Sequence, residues 1–355
     1  MSRSKVVSCL AGGGLSVDAG LPDSVELANK FKVYLQELAG DSKNCEAKSQ
    51  LELLYFLLGG IRFQRARHGI DPDQPINIEQ IATAALRLKY RRDDPLAPYV
   101  ASWNEKIAEF EAEEEGALDR FGEVIFARLK DWLATPTKEK IDYINRLGDL
   151  HRDNTHVALF TLNYDLLIET AFANANRKLV NGFKDGQWDP RLFHEMDAMR
   201  LYKLHGSLDW VDDEMHGICS LRYDRHPRAE DFEANAAPLL IFGTDSKLTG
   251  KDPFVSLVYA FSEQLRGTNV LVVIGYSFSD VYVNEIIAQR MRDNLRLRLV
   301  IVSPHAHDLK QSKSFLENSP RVTAIDSKAF AALNNGVVRD VVGRLVEETI
   351  EEAPF

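Results

Sequence analysis

Residues 5–11, KVVSCLA, form a short, largely apolar run that breaks off directly into three glycines, Gly12, Gly13 and Gly14. A run of that length, bounded by charge on one side and glycine on the other, predicts a strand buried on both faces of a parallel sheet. Such a strand needs neighbours, and the sequence supplies them only after residue 150. Apolar runs recur at 157–162 (VALFTL), 201–204, 239–242, 270–274 (VLVVI), 297–302 (LRLVIV) and 322–325, several followed by helical patterns such as 281–293. Between the first strand and these, residues 25–150 carry helical patterns punctuated by DPDQP and RRDDPLAP, with almost no runs rich in β-branched residues.

The predicted class is therefore α/β, a doubly wound, Rossmann-like parallel sheet of about six strands with a large all-helical insertion after its first strand. The predicted domains are 1–24 together with 151–355, and the insertion 25–150. Within the insertion, residues 51–58 are apolar everywhere except Glu52, which predicts a helix covered on all sides. The acidic segment at 111–119 reads as an exposed helical face.

Charge and cysteine usage exclude several classes of function. Lys and Arg number 43 against 53 Asp and Glu, a net charge of −10. Duplex binding draws on cations that neutralise phosphates, so direct nucleic-acid binding is not expected. The most basic stretch, Arg62, Arg65 and Arg67 with Arg91 and Arg92, reads as a solvated helical surface. Cys9, Cys45 and Cys219 make neither a disulfide framework nor a four-thiolate zinc site, and the loose group His216, Cys219 and His226 lacks a fourth ligand. No apolar run reaches the roughly 18–20 residues that cross a bilayer. Only Val6 and Val7 lie between Lys5 and Ser8, too short for a secretory signal. A cytoplasmic protein without membrane contact is expected.

The chemistry-bearing residues cluster where the predicted strands end. After the first strand come Gly12, Gly13, Gly14 and Ser16, then Gly20, Leu21, Pro22 and Asp23. Glycines after a strand allow close backbone approach to a diphosphate, and the amides of the following turn face its charge. VALFTL runs into Asn163, Tyr164 and Asp165, and YKLHG ends in His205 and Gly206. VLVVI runs into Gly275, Tyr276, Ser277, Phe278, Ser279 and Asp280, with Asn284 one turn on, and LRLVIV ends in Ser303. Ligand crevices of open α/β sheets form at the carboxyl ends of the strands.

In this order the motifs resemble those of the sirtuin superfamily. GGGLS with Gly20, Leu21, Pro22 and Asp23 is similar to the family's G-A-G-x-S and the Gly, apolar residue, Pro and Asp after it. TLNYD resembles T-x-N-x-D, LHG matches the catalytic histidine motif, and GYSFSD with Asn284 resembles the second nucleotide loop of bacterial sirtuin-like proteins. The resemblance covers 5–24 and about 157–305, and two departures accompany it. Protein deacylases of the family have Phe and Arg after the Pro-Asp pair, where this chain has Ser24 and Val25. The zinc ribbon that deacylases insert after the histidine motif has too few cysteines to form here.

LHGSLDW and GYSFSD look instead like the sirtuin-like NAD hydrolases of prokaryotic antiphage defence. That resemblance implies NAD+ as substrate, no zinc, Gly12, Gly13, Gly14 and Ser16 at the pyrophosphate, with Pro22 and Asp23 also near the cofactor. It implies Asn163 at the nicotinamide ribose placing a water, Asp165 supporting the nicotinamide end, and His205 acting on the ribose hydroxyl or the water. Gly275, Ser277, Asp280 and Asn284 then hold the adenosine half, with Ser303 near the adenine. A deacylase or ADP-ribosyltransferase, and a non-catalytic module sensing NAD or ADP-ribose, are the alternatives. An unregulated NAD hydrolase would kill its host, so the resemblance also implies control by homo-oligomer assembly or by a ring-forming HerA-type ATPase partner.

The purified protein is expected to carry no stoichiometric zinc and to leave acetyl-lysine peptides intact. Elemental analysis finding about one zinc per chain, as in a closed structural site, would overturn this.

Overall fold

The computed structural model describes residues 5–89, 109–110, 116–151, 155–195, 198–213, 217–221, 239–240 and 252–351. The chain divides into two compact units, one made of Met1–Leu21 with Ala134–Phe355 and the other of Pro22–Leu133. Residues 134–150 thus fold with the sheet rather than with the insertion. The reason is visible in the 3-10 helix Asp142–Leu150, which buries Tyr143, Ile144, Leu147 and Leu150.

Among the described residues, the strands of the first unit are β1 (Lys5–Ala11), β2 (Thr155–Thr161), β3 (Leu179–Val180), β4 (Phe183–Lys184), β5 (Gln187–Trp188), β6 (Met199–Lys203), β7 (Trp210–Asp213), β8 (Gly217–Ser220), β9 (Val270–Ile274), β10 (Arg298–Ser303) and β11 (Val322–Asp326). Seven of them form one sheet in the order β11-β10-β9-β1-β2-β6-β3, and every pairing in it is parallel. The other four form a small antiparallel sheet, β4-β5-β8-β7, that the sequence pattern does not announce because its strands are two to four residues long. Two-residue β3 escapes the pattern for the same reason. Of the strand expected at 239–242 only 239 and 240 are among the described residues, and there Leu240 makes an isolated antiparallel bridge to Gly206.

Among the described residues, the α-helices of five or more residues are, in chain order, α1 (Gly13–Val17), α2 (Ser24–Ala39), α3 (Cys45–Arg67), α4 (Ile78–Lys89), α5 (Ala117–Trp132), α6 (Leu167–Asn174), α7 (Phe254–Gly267), α8 (Val281–Asp293), α9 (Ala306–Ser312), α10 (Ala329–Asn334) and α11 (Val337–Glu351). None is long and apolar enough to cross a membrane. On one face of the large sheet, Leu10, Phe160, Leu271, Val273, Leu299 and Ile301 share a core with Leu257, Phe261 and Leu265 of α7 and Ile287 and Met291 of α8. Residues of opposite parity, including Val7, Cys9, Leu159, Val272 and Val300, are buried as well. Burial on both faces explains why the central strands are continuously apolar rather than alternating.

In the second unit, α2 starts with a reciprocal capping box. Asp23 accepts from the amides of Val25 and Glu26, both at 2.8 Å, and Glu26 accepts from the Asp23 amide at 3.0 Å. Phe31 and Phe121 meet edge to face with centroids 5.5 Å apart, among buried Leu35, Leu53, Leu54, Leu57, Ile81, Ile125 and Leu129. The expectation that the helix over 51–58 is covered on all sides is corrected here. Ala47, Gln50, Leu53, Leu54, Leu57 and Gly60 form the buried stripe of α3, whereas Tyr55 is 45% exposed and accepts a hydrogen bond from Gln36 at 2.8 Å. The stripe follows helical periodicity, and the tyrosine's hydroxyl makes solvent tolerable on the other side. Arg62 and Arg67 are exposed, as a solvated face requires, while Arg91, Arg92 and most of 111–119 lie outside the described residues.

Strand register brings two glycine loops into contact. Ala11 pairs with Thr161 on one side and Ile274 on the other. The next residues therefore leave the sheet side by side, and the Gly12 amide donates to Ile274 O at 2.9 Å and the Gly14 amide to Gly275 O at 2.8 Å. A Cβ on Gly12 would sit 2.7 Å from Tyr276 Cα, and one on Gly14 would sit 2.7 Å from Gly275 Cα. Gly13 faces open space. Gly14→Ala should thus destabilise the protein by about 1–3 kcal/mol through overpacking against backbone. Gly13→Ala, in the first turn of α1, should be neutral or stabilising by up to about 1 kcal/mol. Thermal melts of the two variants, compared with wild type, check both.

Candidate functional site

Parallel register puts the carboxyl ends of β6, β2, β1 and β9 on one edge, with Thr161 opposite both Ala11 and Lys203. Chain order reverses across β1, since β2 lies on one side and β9 on the other. This is the switch point at which open α/β sheets form their ligand crevices.

Asn163, two residues beyond β2, is held by its own loop and by α1. Its amide N–H donates to Thr161 Oγ1 at 3.0 Å, and its Nδ2 donates to Gly12 O at 3.0 Å and to Ser16 Oγ at 2.9 Å. Ser16 in turn donates to Asp165 Oδ2 at 2.6 Å, and Asp165 Oδ1 accepts from the Leu167 amide at 3.0 Å where α6 begins. Ser16 and Asp165 are both buried, so the chain of polar groups is fixed internally. The Tyr143 hydroxyl donates to Leu15 O behind α1, and burial pushes its pKa up, so it stays a donor.

Behind Asp165 lies an ion pair. Lys203, 1% exposed, donates from Nζ to Asp165 O at 2.5 Å and to Glu169 Oε1 at 2.8 Å. Burial pushes the Glu169 carboxyl up, and the Lys203 ammonium pulls part of that shift back. The pair thereby locks the β2–α6 loop, which carries Asn163 and Asp165, to the end of β6, which carries His205.

His205 is placed by the turn that follows it. Gly206 has φ +84°, and a Cβ there would stand 2.2 Å from Leu239 O, so only glycine fits. Facing His205 is the loop after β9. It bends at Gly275 (φ +63°) and at Phe278 (φ +54°), a conformation costing a non-glycine residue roughly 1–2 kcal/mol. Full burial of Phe278, with its ring 4.9 Å from that of Tyr276, offsets the cost. The Tyr276 hydroxyl accepts from the Asp280 amide at 3.1 Å and donates to Asn284 Oδ1 at 3.0 Å, and Asn284 Nδ2 donates to Phe278 O at 2.8 Å. So braced, Asp280 caps α8 through Oδ1, which accepts from the amides of Tyr282 at 3.0 Å and Val283 at 3.2 Å. Its Oδ2 lies 3.1 Å from His205 Nε2.

The structure therefore brings together Gly12, Gly13, Gly14, Ser16, Asn163 and Asp165 on one side of the edge, and His205 with Asp280 and Asn284 on the other. Of the three glycines expected at the pyrophosphate, Gly12 and Gly14 donate their amides to the neighbouring loop. Asn284 braces the Gly275 loop from within. Ser277 is exposed and donates to Ser279 Oγ at 3.1 Å. Ser303, at the end of β10, accepts from the His305 amide at 3.2 Å. Pro22 and Asp23 belong to the helical unit, where the Asp23 carboxylate caps α2. Thr161, Lys203, Glu169, Tyr143 and Tyr276 were not anticipated as site residues. One signal was present, a lysine inside the otherwise apolar LYKL of a strand.

The small antiparallel sheet, whose strands flank His205 in sequence, packs aromatic rings together. Phe183 lies 5.0 Å from Trp210 and 5.4 Å from Trp188, and Asp209 accepts from Ser207 and, at 2.8 Å, from Ser220. Among the described residues no group of three or more His, Cys, Asp or Glu could hold a metal ion, and His216 and His226 lie outside them. Cys219 and Cys9 are buried, and burial pushes the Cys9 thiol up to about 12, while Cys45 is exposed at the start of α3.

Residues 157–325 match the family model of the SIR2-like domain. Among solved structures, the chain is similar to a triple mutant of a Sir2 homologue in complex with 2'-O-acetyl ADP ribose, at 14% identity and a TM-score of 0.45, covering 96% of this chain and 94% of that one. It is also similar to a single mutant of a Sir2 homologue in complex with ADP ribose, at 12% identity and a TM-score of 0.43, covering 99% and 96% of the two chains. No curated protein sequence matches.

Removing one partner of the buried pair should leave an uncompensated charge. Lys203→Met is expected to cost about 3–5 kcal/mol, and combining it with Glu169→Leu should restore most of the loss. Urea unfolding of the single and double variants measures both.

Proposed function

We propose that the chain is an NAD+ glycohydrolase, cleaving the bond between nicotinamide and ribose to give nicotinamide and ADP-ribose. The observation that carries this reading is the Ser16, Asn163 and Asp165 network at the sheet's switch point, with His205 on the next strand end. The SIR2-like match of residues 157–325 and the ADP-ribose compounds bound by the similar Sir2 homologues support NAD+ as the substrate.

In this reading the C1'–N bond of the nicotinamide ribose breaks, and its electron pair leaves with neutral nicotinamide. Oxocarbenium character builds on the sugar, and a water oxygen forms the new bond to C1'. The Asn163 side chain, held against Gly12 and Ser16, orients the ribose and the water. His205 takes the proton that the water releases and passes it to solvent, a task suited to an imidazole near neutral pH. Ser16 lines the pyrophosphate side with Gly13, and Asp165 supports the nicotinamide end. The Gly275 loop and Ser303 serve the adenosine half. The Ser24 and Val25 departure favours water over acyl-lysine as the acceptor. Depletion of NAD+ in antiphage defence, in a cytoplasmic homo-oligomer governed by a HerA-type ATPase, is the biological setting that we propose from the motif resemblance.

His205→Ala and Asn163→Ala should each lower nicotinamide release by about 10²–10⁴-fold while the fold persists. Chromatography of NAD+ incubations, with and without an acyl-lysine peptide, checks this. Near wild-type turnover in His205→Ala would overturn the mechanism, and peptide-dependent release would assign a deacylase.

A further inference from the structure

α1 carries Ser16 into the site, yet a helix of five residues fixes little of its own position, because the first four amides and the last four carbonyls of any helix lack intrahelical partners. Its neighbours must hold it. The Gly14 amide donates to Gly275 O at 2.8 Å, the Phe330 amide donates to Asp18 Oδ2 at 2.9 Å, and the Tyr143 hydroxyl donates to Leu15 O. Tyr143 and Leu15 are each 1% exposed, so the carbonyl meets its donor away from solvent. The Tyr143 ring meets that of Phe330 edge to face, with centroids 5.4 Å apart. Burial, with the charges of Asp18 and Asp165 nearby, keeps the phenol protonated.

The chain changes units beside these same atoms. Leu21, the last residue before the helical unit, donates its amide to Ser16 O at 3.2 Å, and the chain rejoins the sheet unit at Ala134, nine residues before Tyr143. The consecutive carbonyls of Leu15 and Ser16 thus take one donor from the returning segment and one from the departing segment. Asn163 in turn has two anchors, Gly12 O and Ser16 Oγ. The first is set by the glycine seam, since the Gly12 amide donates to Ile274 O at 2.9 Å. The second depends on where α1 lies.

We propose that Tyr143 is a positioning residue of the reacting end: by holding Leu15 O it fixes α1 so that Ser16 Oγ meets Asn163 and Asp165 together. The chain re-enters the sheet unit through a residue that braces Asn163. The effect on turnover rests on the NAD+-cleaving reading, whereas the bracing is observable without turnover.

Tyr143→Phe removes the hydroxyl and keeps the ring against Phe330, while Phe330→Leu removes the ring contact and keeps the hydroxyl. Solvent exchange of the Asn163 side-chain amide protons, followed by NMR of asparagine-labelled protein and assigned by their loss in Asn163→Ala, measures how firmly Asn163 is held. These protons should be protected in wild type, should exchange about tenfold faster in Tyr143→Phe, and should stay within about threefold of wild type in Phe330→Leu. Circular dichroism should be the same in all three. Tyr143→Phe should lose about 10–10²-fold in kcat with KM for NAD+ changed by no more than about twofold, as a misplaced group predicts. In a Ser16→Ala background, where α1 has no hydroxyl for Asn163, the same substitution should cost no more than about twofold further. Equal losses in the two backgrounds, wild-type exchange in Tyr143→Phe, or unprotected Asn163 protons in wild type would overturn the proposal. If wild type releases no nicotinamide from NAD+ while Asn163 exchange responds as stated, the hydrolase reading fails and the bracing of Asn163 by Tyr143 stands.

Discussion

The site rests on a backbone-to-backbone approach. Gly12 and Gly14 on one loop, and Gly275 on the other, press together at distances where any Cβ would collide with main-chain atoms. Parallel register makes this approach unavoidable, since Ala11 is flanked by Thr161 and Ile274 and the following residues must leave the sheet as neighbours. Once the seam closes, the Gly12 carbonyl is fixed where Asn163 can donate to it, and the Gly275 loop is fixed where it can carry Asp280 towards His205. Glycine here therefore serves protein packing first and ligand approach second, which inverts the usual explanation of a glycine-rich turn.

The polar groups built on this seam form two sets with different roles. Ser16, Asn163 and Asp165 make a continuous chain of hydrogen bonds, and the buried Lys203–Glu169 pair ties that chain to the strand bearing the histidine. Burying two charges stabilises a fold little, because desolvation opposes their attraction. What the pair supplies is geometry: it joins the helix that follows the Asn163 loop to the strand that leads into the histidine.

Much of this was legible in the chain. Continuously apolar runs such as VALFTL and VLVVI marked central parallel strands because burial on both faces removes alternation. Asn163, Asp165, His205 and Asp280 stood out because each follows such a run. The rest was hidden for physical reasons. Strands of two to four residues, such as Leu179–Val180 and Gln187–Trp188, are too short for any period to register, so the small sheet went unseen. The pairing of Asp280 with His205 joins residues 75 positions apart and depends on two left-handed residues, one of them a phenylalanine that sequence alone does not mark. Apolar composition at 51–58 overstated burial, because a tyrosine in that run keeps its hydroxyl at the surface.

The distribution of thiols has a practical consequence for studying the molecule. Cys9 sits in the centre of the large sheet with its ionisation suppressed, and Cys219 is enclosed by the aromatic sheet, whereas Cys45 is open to solvent at the head of a helix in the other unit. Since the thiolate is the reacting species, a maleimide dye or spin label applied to the native, unmutated chain will go to Cys45 alone. The protein thus comes with a single spectroscopic handle on its helical unit, remote in sequence from every residue of the SIR2-like segment, and signals from it can be followed without altering the chemistry of the sheet.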